Sequence, residues 1–187
     1  MSQRLAAIAA MLDCDERTLR RWAVQGLLRA ERDKRRELRL PYSEELYLRR
    51  HWELLHTLRR VLRTEKSVRL AVLFGSVATG QDLLESDVDL LIEHDTGDLE
   101  QIVELQRRLQ TRVGKSIHLV SLDDAQRSSL LLADVLLEGR VIVDRDDIWR
   151  RLMGRRRRVL RDAALEEHSI YTAAQQAVAE ARERLSA

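Results

Sequence analysis

Apolar residues along the chain change their spacing twice, and each change marks a change of architecture. Over residues 3 to 28, Leu5, Ile8, Ala9 and Leu12 recur at helical intervals, Asp13 to Asp15 interrupt them, and Leu19, Trp22 and Ala23 resume the pattern in a second helix. Between residues 43 and 65, Leu46, Leu48, Leu54, Leu55, Leu58, Val61 and Leu62 form more than one stripe, which predicts a long helix covered on several sides. From Val68 the spacing collapses into short runs, and Val68 to Phe74, Val88 to Ile92, Lys115 to Leu122 and Arg140 to Asp144 read as strands. Ser76 begins a short helix, and Asp98 with Gln101 forms a capping-box pair opening a helix to about Arg112. Asp123 with Gln126 repeats that pattern, and Gly139 closes the next helix. After Asp144 a weaker helical period through Ile148, Leu152, Val159, Leu160, Ala163, Ala174, Ala177, Val178 and Ala181 runs to the end. The sum is an α+β chain: a small mixed β-sheet with flanking helices in the order αβαβαβ, with helical segments before and after it.

Composition narrows the class. At 187 residues and 44% hydrophobic content the chain can bury a real core in one or two domains. No apolar run approaches a membrane span and the N-terminus lacks a signal-peptide pattern, so the expected location is cytoplasmic, with no membrane partner. Cys14 is the only cysteine, which excludes an intrachain disulfide and a cysteine zinc site. The net charge of +2 hides a division: residues 1–66 hold 16 basic and 10 acidic groups, 67–144 hold 7 and 14, and 145–187 hold 10 and 7. An acidic middle between basic ends suggests one part that binds cations and another that meets phosphate backbones. The boundaries that follow are 1–66, 67–145 and 146–187, with no Gly/Ser or Pro-rich linker between the first two. Arg155 to Arg158 circle a helix, which favours a solvated or acid-paired run over a dedicated nucleic-acid site; His51, His56, His94 and His168 lack ligand-like spacing.

The stretch Leu73 to Glu93, LFGSVATGQDLLESDVDLLIE, carries the chemistry. On a strand, residues i and i+2 share a face, so Asp87 and Asp89 present two carboxylates side by side. Without a cation one of them would tend to take up a proton, and two hard oxygen ligands suit Mg²⁺. The plain structural reading is a tight turn with an N-cap serine and two exposed aspartates at a strand start. The constellation resembles the nucleotidyltransferase superfamily of DNA polymerase beta type, especially its small stand-alone bacterial members, the minimal nucleotidyltransferase antitoxins, over roughly residues 67 to 144. That resemblance implies that Gly75 and Ser76 are the phosphate-binding pair, Gly80 the following glycine, and Ser86, Asp87 and Asp89 the metal-binding segment. It also implies nucleotide contacts from Gly75, Ser76, Gly80 and Ser86. Backbone N–H groups at the start of the Ser76 helix would then face phosphate oxygens.

One position departs from the pattern. The family supplies a third carboxylate from a later strand, and the matching strand here reads KSIHLVSL, with His118 in that place. Ser116, His118 and Val120 share a strand face, and a neutral imidazole suits Mn²⁺ or Zn²⁺ better than Mg²⁺. A histidine, whose ordinary pKa is about 6.5, can act as general base near neutral pH. His118 is thus a substituted base, a mark of lost activity, or a half-buried strand residue.

The N-terminal segment is similar to the winged helix-turn-helix of the MerR family. A TLRxW-like recognition helix followed by glycine and leucine appears as Thr18 to Leu27, and ELRLPYSEELYLRRHWELL from Glu37 matches the wing strand, linker and next helix. The resemblance implies an all-α winged module over about residues 4 to 60. Arg17, Thr18, Arg20 and Arg21 would face the major groove, and Arg32, Lys34, Arg35, Arg36 and Arg39 would lie on the wing, meeting phosphates. A protein-docking role for such a unit stays open, as does a homodimer.

Together these resemblances imply transfer of NMP, AMP from ATP first, to a hydroxyl acceptor with Mg²⁺ or Mn²⁺. Asp87, Asp89 and His118 would be catalytic. They further imply an antitoxin that modifies a HEPN-type toxin and binds its own operator DNA. The competing expectation is a DNA-binding regulator with a catalytically degenerate nucleotide-binding domain. Modification of an aminoglycoside-like small molecule predicts a substantial extra domain, for which the C-terminal tail is short.

Overall fold

A 23-residue helix, α3 (Tyr42–Thr64), runs through the middle of the molecule and buries Tyr47, Leu48, His51, Leu55, Leu58 and Leu62 on more than one side, as its several apolar stripes require. The computed structural model describes residues 2–186; Met1 and Ala187, the outermost residues of the first and last predicted segments, lie outside the described residues. Ahead of α3 stand β1 (Ser2–Arg4), α1 (Leu5–Met11), α2 (Glu16–Val24), β2 (Glu31–Arg32) and β3 (Leu38–Pro41). Asp15 ends the break between the two helices by accepting the Arg17 N–H at 2.7 Å, the N-cap bond that starts α2. This segment is not all-α: β1, β3 and β2 form an antiparallel three-stranded sheet, with Arg4 opposite Arg39. Strands of two to four residues carry no readable period, and β1 exists only because β3 offers it an edge.

The larger sheet holds β4 (Val68–Phe74), β5 (Val88–His94), β6 (Ile117–Ser121) and β7 (Arg140–Asp144) in the order β6-β5-β4-β7. β4 is antiparallel to β5 and β7, and β5 is parallel to β6, so the sheet is mixed. Alternate residues serve opposite faces. Ala71, Leu73, Leu90 and Ile92 join a core shared with α3, with α5 (Leu99–Val113), and with Leu5, Ile8, Leu19, Trp22 and Leu40 of the N-terminal segment. Leu70, Val72, Leu91 and Val141 pack on the other side beneath α6 (Leu122–Gln126), α7 (Ser129–Glu138), α8 (Ile148–Gly154) and the start of α9 (Arg156–Ser186). The short α4 (Gly75–Thr79) follows β4 directly. Among the described residues no helix is long and apolar enough to cross a membrane.

Several local predictions shift. The helix expected to open at Asp123 opens earlier, because Ser121 accepts the Asp124 N–H at 3.0 Å, and Ser128 then caps a separate α7. Asp98 caps α5 through the Glu100 N–H at 3.0 Å, but Gln101 donates to the Asp98 carboxylate and no reciprocal box closes. The C-terminal helix is interrupted at Arg155. Gly139 does end α7, with an ordinary negative φ; its need is space, since a Cβ there would lie 2.3 Å from the Val135 carbonyl oxygen and 2.7 Å from Val72.

Arg140 joins the parts. It is 2% exposed, and its guanidinium meets both carboxylate oxygens of Glu44, at 2.6 and 2.9 Å. It also donates to the carbonyls of Ala78 at 2.7 Å and Leu27 at 3.2 Å, and lies 3.6 Å from the Tyr47 ring centroid. Val141 adds a main-chain bond to the Gly26 carbonyl at 3.2 Å, so β7 is sewn to the N-terminal segment.

Arg140→Met strands the Glu44 carboxylate in the interior and is expected to lower unfolding free energy by about 3–5 kcal/mol in urea titration, while the double variant with Glu44→Met recovers part of that loss. Gly139→Ala is expected to cost about 1–3 kcal/mol by overpacking, read as a lower thermal midpoint.

Candidate functional site

The strand register sets the site. Asp89 in β5 lies opposite Phe74 at the end of β4 on one side and opposite His118 in β6 on the other. Gly75 follows Phe74 with φ +70°, and a Cβ on it would lie 2.7 Å from Asp89 Oδ2. Only glycine meets both demands: the left-handed backbone and the close approach to a carboxylate. The Gly-Ser turn is therefore pressed against Asp89. Ser76 is half-buried in the first turn of α4, and Gly80, with φ +81°, ends that helix.

The loop from Gln81 to Asp87 is held from beneath. Asp82 is buried, and its Oδ1 lies 2.8 Å from His51 Nε2, while His51 Nδ1 lies 3.0 Å from the Tyr47 carbonyl. Arg50 adds a bond to the Asp82 carbonyl at 2.6 Å. Ser86 Oγ accepts the Leu83 N–H at 2.8 Å and Lys115 donates to the Leu84 carbonyl at 3.2 Å, which fixes the turn. The Ser86 hydroxyl thus accepts one bond that shapes the loop and keeps its own O–H to donate. Sequence reading gave His51 no role and did not single out Asp82; their pairing spans 31 positions and leaves no local signal.

Asp87 is exposed just before β5, and Asp89 is half-buried within it. His118 Nδ1 lies 3.3 Å from Asp89 Oδ1, with the imidazole 65% exposed. Asp134 on α7 feels the same negative field: burial first, then Glu138 and Asp89, push its carboxyl above the usual carboxylate range. The one hint in the sequence is an acidic pair at Asp134 and Glu138, four apart in an otherwise apolar helix. Among the described residues no three His, Cys, Asp or Glu side chains converge as a complete ligand set. Mg²⁺ takes one or two carboxylates and completes its shell with water and substrate phosphates, so a two-aspartate donor set in an acid-rich surround fits a nucleotide-borne divalent ion.

The basic residues of the N-terminal segment sort into free and committed ones. Arg17 and Arg21 lie exposed on α2, Thr18 is half-buried, and Arg20 pairs with Glu16 at 2.7 Å. Asp33 organises the β2–β3 turn by accepting the N–H groups of Arg35 at 2.8 Å and Glu37 at 3.0 Å, which leaves the Arg35 and Arg36 side chains exposed at the tip. Lys34 is exposed beside them. Arg39 is taken by Asp33 at 2.8 Å, and Arg32 donates to the Arg36 carbonyl, so both brace the hairpin.

Comparison with known proteins agrees on the middle of the chain. Residues 56–148 match the family described as polymerase beta, nucleotidyltransferase. A solved toxin-antitoxin structure with AMP-PNP shares the fold at TM-score 0.53 and 22% identity, over 65% of this chain and 98% of that one. A mutant of the toxin-antitoxin MntA-HpeT does so at TM-score 0.54 and 20% identity, again over 65% and 98%. No curated protein matches the chain. With the Gly75-Ser76 turn laid on Asp89 in a mixed four-stranded sheet, residues 56–148 carry the match to the polymerase beta nucleotidyltransferase family.

Proposed function

We propose that this chain transfers AMP from ATP to a hydroxyl of a HEPN-type toxin, as an antitoxin that also binds its own operator DNA. The observation that carries the catalytic part is the contact between His118 and Asp89 beside the Gly75-Ser76 turn. A proton on Nδ1 donated to Asp89 leaves Nε2 with its lone pair, the form a general base needs. The acceptor O–H would pass its proton to Nε2 while its oxygen attacks the α-phosphorus and pyrophosphate leaves. Ser76 and the first amides of α4 would hold the triphosphate tail. Asp87 and Asp89 would hold Mg²⁺ or Mn²⁺, which when bound neutralises phosphate charge on the attacking and leaving oxygens. The nucleotide and the toxin are proposed because a toxin-antitoxin with AMP-PNP shares the fold. Support for DNA binding is the set of exposed cations at Arg17, Arg21, Arg35 and Arg36, with Thr18 and Arg20 beside them, on a helix and a hairpin tip. The division at residues 66 and 145 is retained as part of this proposal.

A second reading has its own observation: His118 stands where a third carboxylate is expected, which suits a regulator with a degenerate nucleotide-binding domain. Labelled ATP with Mg²⁺ or Mn²⁺ and the product of a neighbouring all-helical toxin gene separates the two. Transfer of label to the toxin, abolished with Asp87→Asn and Asp89→Asn, is expected; absence of transfer with toxin neutralisation intact in that double variant establishes the regulator. His118→Gln is expected to lower kcat about a hundredfold with KM for ATP little changed, and His118→Asp to restore most of it, since either side chain can take the proton.

A further inference from the structure

A cavity of about 650 Å³ opens where the end of α2, the later half of α3 and the β7–α8 turn meet, away from Gly75 and Asp89. That volume is in the range of small-molecule sites, roughly 300–1,000 Å³. Its wall is cationic: Arg21, Arg59, Arg63, Arg145 and Arg150 face only Asp144 and Asp147.

The two carboxylates fall short of the five cations, and one of them is already paired. Asp144 accepts the Ile148 N–H at 2.9 Å, and Asp147 pairs with Arg150 at 2.8 Å. Arg145 is occupied by the carbonyls of Leu62, Arg63 and Glu65 at the end of α3. Arg21 and Arg63 have no carboxylate partner among the described residues. Arg59 is 8% exposed, donates to the Ile142 carbonyl at 2.6 Å and to Gln25, and keeps a buried Nε with no partner. Burial first, then Arg63 and Arg21, push its guanidinium down to about 10. Like charges gathered in a part-enclosed space repel strongly, and the species that relieves them is an anion. Trp149 with Val24, Val141 and Val143 gives the same cavity an apolar side.

We infer that this cavity binds a small phosphorylated aromatic ligand of the nucleotide class, with its phosphates on Arg21, Arg59 and Arg63 and its ring against Trp149 and the valines. The site is separate from the proposed transfer site and stands or falls without it. A bound ligand would bridge α2 to β7, and so tie the exposed cations of the N-terminal segment to the sheet.

The test uses the full chain carrying Asp87→Asn and Asp89→Asn, in EDTA, with ADP as probe and inorganic pyrophosphate as a second one. Isothermal titration is expected to show one ADP bound, more tightly than pyrophosphate, with a tryptophan fluorescence change that Trp149→Phe removes. Arg21→Ala and Arg63→Ala, both at accessible positions, are expected to weaken ADP by about tenfold or more each with an unchanged thermal midpoint. The inference is overturned when no ADP binds, or when both arginine variants leave its affinity unaltered. It is equally overturned when those variants weaken DNA binding while ADP does not bind, because the cavity is then a contact for the DNA backbone.

Discussion

A single guanidinium holds together what apolar packing alone would leave free to slide. Arg140 belongs to the edge strand β7, yet its bonds end on the N-terminal segment at Leu27, on α3 at Glu44 and on α4 at Ala78. Burying a charge costs several kcal/mol, and only good geometry with full hydrogen bonding offsets it. Here the fork of Arg140 meets the fork of Glu44, carbonyls take further N–H groups, and the Tyr47 ring covers the face. The gain lies in direction. Hydrophobic contact is non-directional, whereas this set of bonds is made in one arrangement of the four elements.

That arrangement also connects the two regions of interest. Ala78 lies in the short helix that begins at Gly75 and Ser76, and Leu27 follows the helix that carries Arg17 and Arg21. One side chain therefore touches the backbone behind the proposed phosphate-binding turn and the backbone behind the proposed DNA-facing helix. The core is continuous between them, from Leu5 and Trp22 through Leu55 and Leu58 to Leu73 and Leu90. The arginine-lined cavity lies at the junction of α2, α3 and β7.

The proposed catalytic centre is built more from strand ends than from a pocket. Phe74, Asp89 and His118 stand in register on three adjacent strands, and the Gly75 turn closes over Asp89. Beneath it, the His51–Asp82 pair and Lys115 hold the loop that delivers Asp87. The centre lies at the surface, with Asp87 exposed and the His118 imidazole turned largely to solvent.

Much of this was readable in the chain itself, because it depends on local rules. The strands Val68 to Phe74 and Arg140 to Asp144, the long helix from Tyr42 and the turn at Gly75 follow from period, apolar runs and glycine, which act over a few residues. The split of the helix after Asp123 was missed because three capping residues, Ser121, Asp123 and Ser128, compete within eight positions, and tertiary packing chose among them. Strand β1, the pairing of Arg140 with Glu44 across 96 positions and the support of Asp82 by His51 left no trace in spacing. The sequence by itself determined the elements and the chemical groups that ride on them. Only the tertiary structure decided which charges meet, since the energy of a buried charge depends on partners brought near by folding and not on neighbours along the chain.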